Sequence, residues 1–169
     1  DLFVIGFALL MRDRATPWTY LLTGALFGTA FTIRGQVALM ILGLLAWMLV
    51  VRKERPRSLA MIVAGMLAAI GAGIVIDRWF YGEWTLTAWN YLVENILHGR
   101  ADAFGVEPWY TYFTETFLRL APPFSLVFIC APLILVLLDR RNALTWVLLP
   151  FVLAHSWIGH KELRFMFPL

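Results

Sequence analysis

The chain has 169 residues, 61% of them hydrophobic and 15% charged, with a formal net charge of +3 and a mean hydropathy of +0.75. Ordinary soluble domains are about half apolar and about a quarter charged, and a globule of this length has too few charges here to cover its remaining apolar surface. A soluble enzyme, a disordered tail and a nucleic-acid-binding domain are thereby excluded, and the composition points to an all-α integral membrane protein.

Six apolar stretches approach the 17–25 residues that a membrane-spanning helix needs. They cover residues 2–11, 17–33, 37–51, 59–76, 124–138 and 143–157, giving about five to six transmembrane helices. The first is short because the chain opens at Asp1, and the end, Phe165-Met166-Phe167-Pro168-Leu169, reads as the opening of another apolar stretch. The sequence is therefore expected to be an internal piece of a longer protein, truncated at both ends, forming a single transmembrane region over residues 1–169. Cys130, the one cysteine, excludes an internal disulfide framework and reads as a small buried apolar residue.

Charge sets the expected sidedness. Arg12-Asp13-Arg14, Arg52-Lys53-Glu54-Arg55-Pro56-Arg57 and Asp139-Arg140-Arg141 hold eight of the 14 basic residues, which assigns these short connections to the cytoplasm. Even numbers of crossings between them place a tight turn at Arg34-Gly35-Gln36, residues 77–123 and residues 160–164 on the opposite, extracytoplasmic or lumenal face. Membrane orientation thus accounts for the basic charge without a nucleic-acid partner.

The segment 77–123 is far longer than an ordinary connection and rich in Trp, Tyr and Phe. Helices are expected over residues 87–98 and 109–120, the second stopping at Pro122-Pro123, with a flexible polar link from His98 to Gly105 between them. The aromatic residues suit an interfacial belt or a wall facing a sugar or lipid-phosphate substrate. Asp77-Arg78 reads as a local ion pair. Glu94, Asp102, Glu107 and Glu115 lie on the same face, and nothing in their spacing selects one as a base.

The run Ser156-Trp157-Ile158-Gly159-His160-Lys161-Glu162-Leu163-Arg164-Phe165 places three potential cations and a carboxylate where an apolar helix ends. If helical, it carries His160 and Arg164 on one face. Such a cluster suits a phosphate or pyrophosphate, or it anchors the helix in the interface with snorkelling side chains. His155 and His160 lack metalloprotease spacing, so no metal site is expected.

Three stretches, in order, resemble motifs of one family. His160-Lys161-Glu162-Leu163-Arg164-Phe165 with Pro168 resembles H-K-E-x-R-F-x-x-P. Asp77-Arg78-Trp79-Phe80-Tyr81-Gly82-Glu83-Trp84 with Asn90 resembles D-x-x-F-Y-G-x-W…N, and Phe104-Gly105-Val106-Glu107-Pro108-Trp109-Tyr110-Thr111-Tyr112-Phe113 resembles Y-G-x-H-P-W-x-W-Y. These mark the polytopic GT-C mannosyltransferases of glycosyltransferase family 22, which build GPI anchors and lipid-linked N-glycan precursors. The resemblance covers residues 77–169, and the earlier helices agree in pattern. Glu107 replaces the usual His, the aromatic spacing around Tyr112 is altered, and Arg34-Gly35-Gln36 departs from Arg-x-Thr. The member is thus divergent, in a bacterial inner membrane or a eukaryotic endoplasmic reticulum membrane.

The resemblance implies a GT-C-like fold and inverting transfer of a hexose, mannose above others, from a polyprenyl- or dolichyl-phosphate donor to a lipid-linked glycan or GPI-type acceptor. The lipid bilayer, the donor and the glycolipid acceptor are then its partners, and the lipid-linked sugar is a substrate, with no further cofactor implied. It assigns the general base to a first outer loop upstream of Asp1, so this piece alone is expected to be inactive. Leaving-group stabilisation falls to Lys161, with His160, Arg164 and Arg34 assisting and Glu162 orienting the cations. Trp109, Tyr110 and Tyr112 would wall the substrate site. A non-enzymatic lipid-linked-sugar carrier or flippase is the alternative, but it calls for charged groups within the spans, and residues 59–76 and 124–138 carry none.

Overall fold

A computed structural model describes residues 2–12, 15–119 and 122–166, with the side chains of Leu163 and Arg164 outside the description. Every regular element among these residues is helical. The main helices are α1 (Leu2–Leu10), α2 (Pro17–Ile33), α3 (Val37–Val50), α4 (Pro56–Tyr81), α5 (Thr87–Leu92), α6 (Thr111–Arg119), α7 (Phe124–Leu138) and α8 (Ala143–Trp157).

Local chemistry sets their ends. Thr16 and Thr19 cap α2 reciprocally, each hydroxyl accepting from the other's backbone N–H, and Pro17 occupies a first-turn position where its missing N–H costs nothing. Asn142 caps α8 by accepting from Leu144 N at 2.9 Å. The sequence limits of the apolar helices reappear within a residue, except at α4. Its 26 residues start three earlier than expected, at Pro56, and continue through Asp77 to Tyr81 before Gly82, at φ 80°, turns the chain away. Asp77 and Arg78 therefore belong to a helix, where neighbours point about 100° apart, and the expected ion pair gives way to separate partners. Asp77 accepts from the Thr87 hydroxyl at 2.9 Å, and the Arg78 guanidinium lies 5.9 Å from the Trp84 ring centroid.

Helix α4 is the one described helix long and apolar enough to cross a membrane by length and composition, whereas α3, α7 and α8 are shorter apolar helices. Between apolar helices in lipid, close packing replaces the hydrophobic effect as the cohesive force, and small residues permit it. On α2, Gly24 lies so near α4 that a Cβ there would sit 2.0 Å from Ile62 O, and a Cβ on Gly65 would sit 2.2 Å from Leu21 O. The core runs through α1, α2, α3, α4 and α8, with Phe3 stacked on Phe27 at 5.3 Å and Met40, Leu44, Ile62, Val147 and Phe151 fully enclosed. Helix α7 touches mainly α6 and α8, and only Ser125 of it is buried. Cys130 consequently lies exposed, correcting its reading as a core residue.

The basic connections meet at one end of the bundle. Arg52 Nη1 donates to Leu10 O at 2.7 Å, and Trp47 Nε1 donates to Arg141 O. Glu54 gathers Tyr20 Oη at 3.1 Å, Ser58 Oγ at 3.2 Å and Arg52 Nε at 3.2 Å. Asp13 and Arg14 lie outside the described residues. At the other end, the Arg34-Gly35-Gln36 turn reaches α5, a Cβ on Gly35 falling 3.7 Å from Ala88 O.

The long aromatic segment folds over that second end. The helix expected over 87–98 is α5 followed by a π-helical turn, Val93–Leu97. The link from His98 to Gly105 is not an open strand but contains a 3-10 turn, Arg100–Phe104, tied back by Arg100 Nε to Glu94 Oε2 at 2.9 Å. Helix α6 begins at Thr111, two residues later than expected, and is described to Arg119.

Candidate active site

Helix α8 stops at Trp157, where Ile158 turns extended (φ −63°, ψ 130°), and helical geometry returns only in the 3-10 turn Leu163–Met166. The segment from 158 to 162 is thus not the helix entertained for it. The backbone bends at Ile158, Gly159 and His160 instead of winding, and His160 and Lys161 take different partners.

Residues 105–107 hold this segment in place. Glu107 N donates to Gly159 O at 2.9 Å, and His160 Nδ1 stands 3.1 Å from Gly105 O. Lys161 Nζ donates to Glu107 O at 3.2 Å and to Ile158 O. Gly105 takes φ 112°, ψ 145°, a conformation that side chains resist, and so lets the chain pass close to His160. The bonds from His160 to Gly105 and from Lys161 to Glu107 join positions 55 and 54 residues apart.

Two cavities flank the segment. The histidine-side cavity, about 250 Å³, is lined by Gln36, Tyr91, Asn95, Phe104, His155, His160 and others. The lysine-side cavity, about 370 Å³, has Glu107, Thr111, Glu115, Arg119 and Lys161. Tyr112 and Glu162 line both. The lysine-side cavity reaches the lower end of the range of small-ligand pockets, and the histidine-side cavity is slightly smaller.

The electrostatics differ on the two sides. His160 Nε2 lies 3.1 Å from Glu162 Oε1, and the imidazole sits between the Phe104 and Phe165 rings, each centroid 5.9 Å away. Lys161 is only 7% exposed. Burial pushes its ammonium below the ordinary lysine range, partly offset by the nearby Glu107 carboxylate. Two of its three donors meet carbonyls, so the third is available to a ligand. Arg119, by contrast, is paired with Glu115. Tyr112 is pushed up to about 12, chiefly by burial and further by Glu107 and Glu162, while a backbone hydrogen bond at Glu162 acts the other way.

The structure thus gathers His160, Lys161, Glu162 and Tyr112. It leaves Trp109 and Tyr110 packed edge-to-face at 5.7 Å, 65% and 47% exposed, and on neither cavity. Arg34 caps α2 through its backbone N–H and is exposed, with Gln36 of the same turn lining the histidine-side cavity instead. The Arg164 side chain lies outside the described residues. Sequence reasoning missed Gln36, Tyr91, Asn95 and His155 as lining residues. Tyr91 and Asn95, four residues apart, share a helical face, but that this face meets a cavity is decided by packing against distant residues. Among the described residues no group of three or more His, Cys, Asp or Glu is arranged to hold a metal ion.

The model of the Alg9-like mannosyltransferase family matches residues 2–169. The chain belongs to this family. It is 29% identical over 138 residues to a probable Dol-P-Man:Man(7)GlcNAc(2)-PP-Dol alpha-1,6-mannosyltransferase of Schizosaccharomyces pombe, covering 81% of this chain and 25% of the relative. It is 36% identical over 115 residues to GPI mannosyltransferase 3 of Aspergillus fumigatus, covering 60% and 15%. With the human GPI alpha-1,2-mannosyltransferase 3 the identity is 31% over 124 residues, covering 69% and 21%. The chain therefore spans a quarter or less of the length of these relatives. No solved structure matches it.

Proposed function

We propose that this chain is part of a membrane-embedded glycosyltransferase that moves a hexose, mannose above others, from a dolichyl- or polyprenyl-phosphate donor to a lipid-linked glycan or GPI-type acceptor, with inversion at the anomeric carbon. Family membership and the names of the relatives support the class. The observation that carries the site is the segment 158–162, pinned to residues 105–107 as the partition between two cavities.

In this reading the apolar helices form five to six spans in an endoplasmic reticulum or bacterial inner membrane. The end bearing the three basic connections is cytoplasmic, and the aromatic segment 77–123 faces the lumen or exterior. The donor phosphate is held on the lysine side, where the free donor of Lys161 meets the charge that grows on the departing oxygen. Glu162 orients the partition, and Arg164 and Arg34 add positive potential. The amides of Gln36 and Asn95 and the rings of Tyr91 and Phe104 receive the sugar on the histidine side, with Tyr112 between the two cavities. The proton of the acceptor hydroxyl goes to an acidic residue in an outer loop upstream of Asp1.

The deciding experiment is transfer from polyprenyl-phosphate-mannose by the full-length enzyme and its Lys161→Ala variant. We expect turnover to fall by about 10²-fold, the scale of losing one positioned donor, with KM changing little. Wild-type turnover at normal expression would overturn the site assignment, and no transfer by the parent enzyme would overturn the function.

A further inference from the structure

Two basic connections, residues 52–57 and 139–141, are distant in the chain and meet on one residue. Trp47, in the last turn of α3, accepts at its carbonyl from Val51 N at 2.9 Å and Arg52 N at 3.1 Å, while its indole Nε1 donates to Arg141 O at 2.6 Å. Trp146 Nε1 donates to Arg140 O at 2.9 Å. The two indoles thus hold the backbone of Arg140-Arg141 beside the turn after α3. Their side chains, with those of Lys53, Arg55 and Arg57, stay exposed.

The nearby carboxylates do not neutralise this group. Glu54 is taken up by Arg52, Tyr20 and Ser58. Asp139 accepts from Arg141 N at 3.1 Å and from Asn142 Nδ2. Among the described residues, none of the five exposed cations pairs with a carboxylate. Lys53 also takes a left-handed backbone, φ 53°, so that Glu54 N returns to Met48 O at 2.8 Å. Glycine serves such a turn with least strain. This turn carries an exposed cation instead, and strain of that kind points to a function for the side chain.

Bare apolar side chains adjoin the cations. Leu137 and Leu138 end α7 immediately before Asp139, Leu49 and Val50 end α3, and all four are exposed. Trp18, in the first turn of α2, is 79% exposed, and this helix starts at the same end because Tyr20 bonds Glu54. Tryptophan favours the headgroup layer, which sets the depth of the cations. Guanidinium forks match phosphate oxygens, and the apolar helix ends match acyl chains. A soluble anion would use only the first of these surfaces.

We propose that this end of the bundle binds an anionic glycerophospholipid. Lys53, Arg55, Arg57, Arg140 and Arg141 hold its headgroup, and the ends of α3 and α7 hold its acyl chains. The site stands apart from the two cavities, at the opposite end of the bundle. In the cytoplasmic leaflet, where the orientation proposed above puts it, it faces the more anionic side of the membrane, and basic clusters beside membrane helices recruit such headgroups.

Lipid binding to the full-length protein in neutral detergent, read by native mass spectrometry, tests this. Dioleoyl-phosphatidylserine should bind at least about tenfold more tightly than dioleoyl-phosphatidylcholine, and the preference should shrink as salt screens the headgroup. Arg140→Gln with Arg141→Gln should weaken phosphatidylserine roughly tenfold and leave phosphatidylcholine unchanged. Lys53→Gly suits the left-handed turn and so keeps the fold, which thermal unfolding in phosphatidylcholine checks, yet it should lose about fivefold in phosphatidylserine affinity. Glycerophosphoserine, the same headgroup without acyl chains, should bind far more weakly than the lipid. Equal affinity for the two lipids, or unchanged phosphatidylserine binding in the folded Lys53→Gly variant, overturns the proposal. Glycerophosphoserine bound as tightly as the lipid makes this a site for a soluble anion and overturns it too.

Discussion

His160 and Lys161 are neighbours in the chain but serve different cavities, His160 pairing with Glu162 Oε1 at 3.1 Å while Lys161 Nζ reaches back to Glu107 O at 3.2 Å. On a helix they would sit about 100° apart and share one surface. The bent, non-helical backbone after α8 instead makes the pair a partition with a different chemistry on each side.

Tyr112 predicts a feature of the alkaline unfolding curve. Its phenol is raised from 10.0 to about 12 in the folded protein, so between those values the folded state keeps a proton that the unfolded chain has lost. Stability should therefore fall as pH rises from 10 to 12, by about 2–3 kcal/mol. Tyr112→Phe should abolish this loss in unfolding measured across that range. An identical slope in the variant would contradict the assignment.

The close approach of α2 and α4 predicts a sharp contrast among glycines. Gly24→Ala forces a methyl to within 2.0 Å of Ile62 O, so the helices must part, costing about 1–3 kcal/mol or more. Gly71 in the same α4 has nothing within 4 Å of an added Cβ. Gly71→Ala should be neutral or stabilising by up to about 1 kcal/mol through helix propensity. Thermal unfolding of both variants in one detergent makes the comparison.

Glu54 predicts coupling at the basic end. Its carboxylate takes Tyr20 Oη and Ser58 Oγ on the same oxygen and Arg52 on the other. Glu54→Ala should destabilise by about 1.5–3 kcal/mol, the scale of hydrogen bonds to a charged group. The Tyr20→Phe and Ser58→Ala effects should be non-additive, because both end on Oε1. Denaturant unfolding of the single and double variants gives the coupling energy, and strict additivity would refute it.

The histidine-side cavity predicts a sugar-binding defect. Asn95 lines it, its Nδ2 donating to Tyr91 O at 2.9 Å. Asn95→Leu keeps the bulk and removes the polar group, so KM for the donor should rise about tenfold, the equivalent of about 1.4 kcal/mol. Unchanged donor kinetics would move the sugar elsewhere.

Much of the helical framework was legible because its signals are local. Apolar length, the Thr16-Pro17 start, Asn142 before α8 and the Arg-rich connections each act within a few residues, and the expected limits of α2, α7 and α8 coincide with the helices formed. Of the residues the sequence marked, His160, Lys161, Glu162 and Tyr112 line the two cavities, whereas Arg34, Trp109 and Tyr110 do not, and the Arg164 side chain lies outside the described residues. Where a signal depended on neighbours distant in the chain, expectation and structure diverged. Cys130 is exposed because few helices cover α7, and α4 absorbs Asp77 and Arg78 because nothing before Gly82 stops it.

Amino-acid order alone determined an apolar helical chain, the grouping of its basic connections and a charged segment after its last long helix. Tertiary structure alone decided that this segment leaves the helix and bends, that Gly105 and Glu107 hold it from more than 50 residues away, and that Gln36 and Asn95 join it. The physical reason is range. Hydropathy, caps and prolines act through adjacent backbone, whereas a partition between two cavities exists only once residues 105–107 and 158–161 have satisfied each other's polar groups.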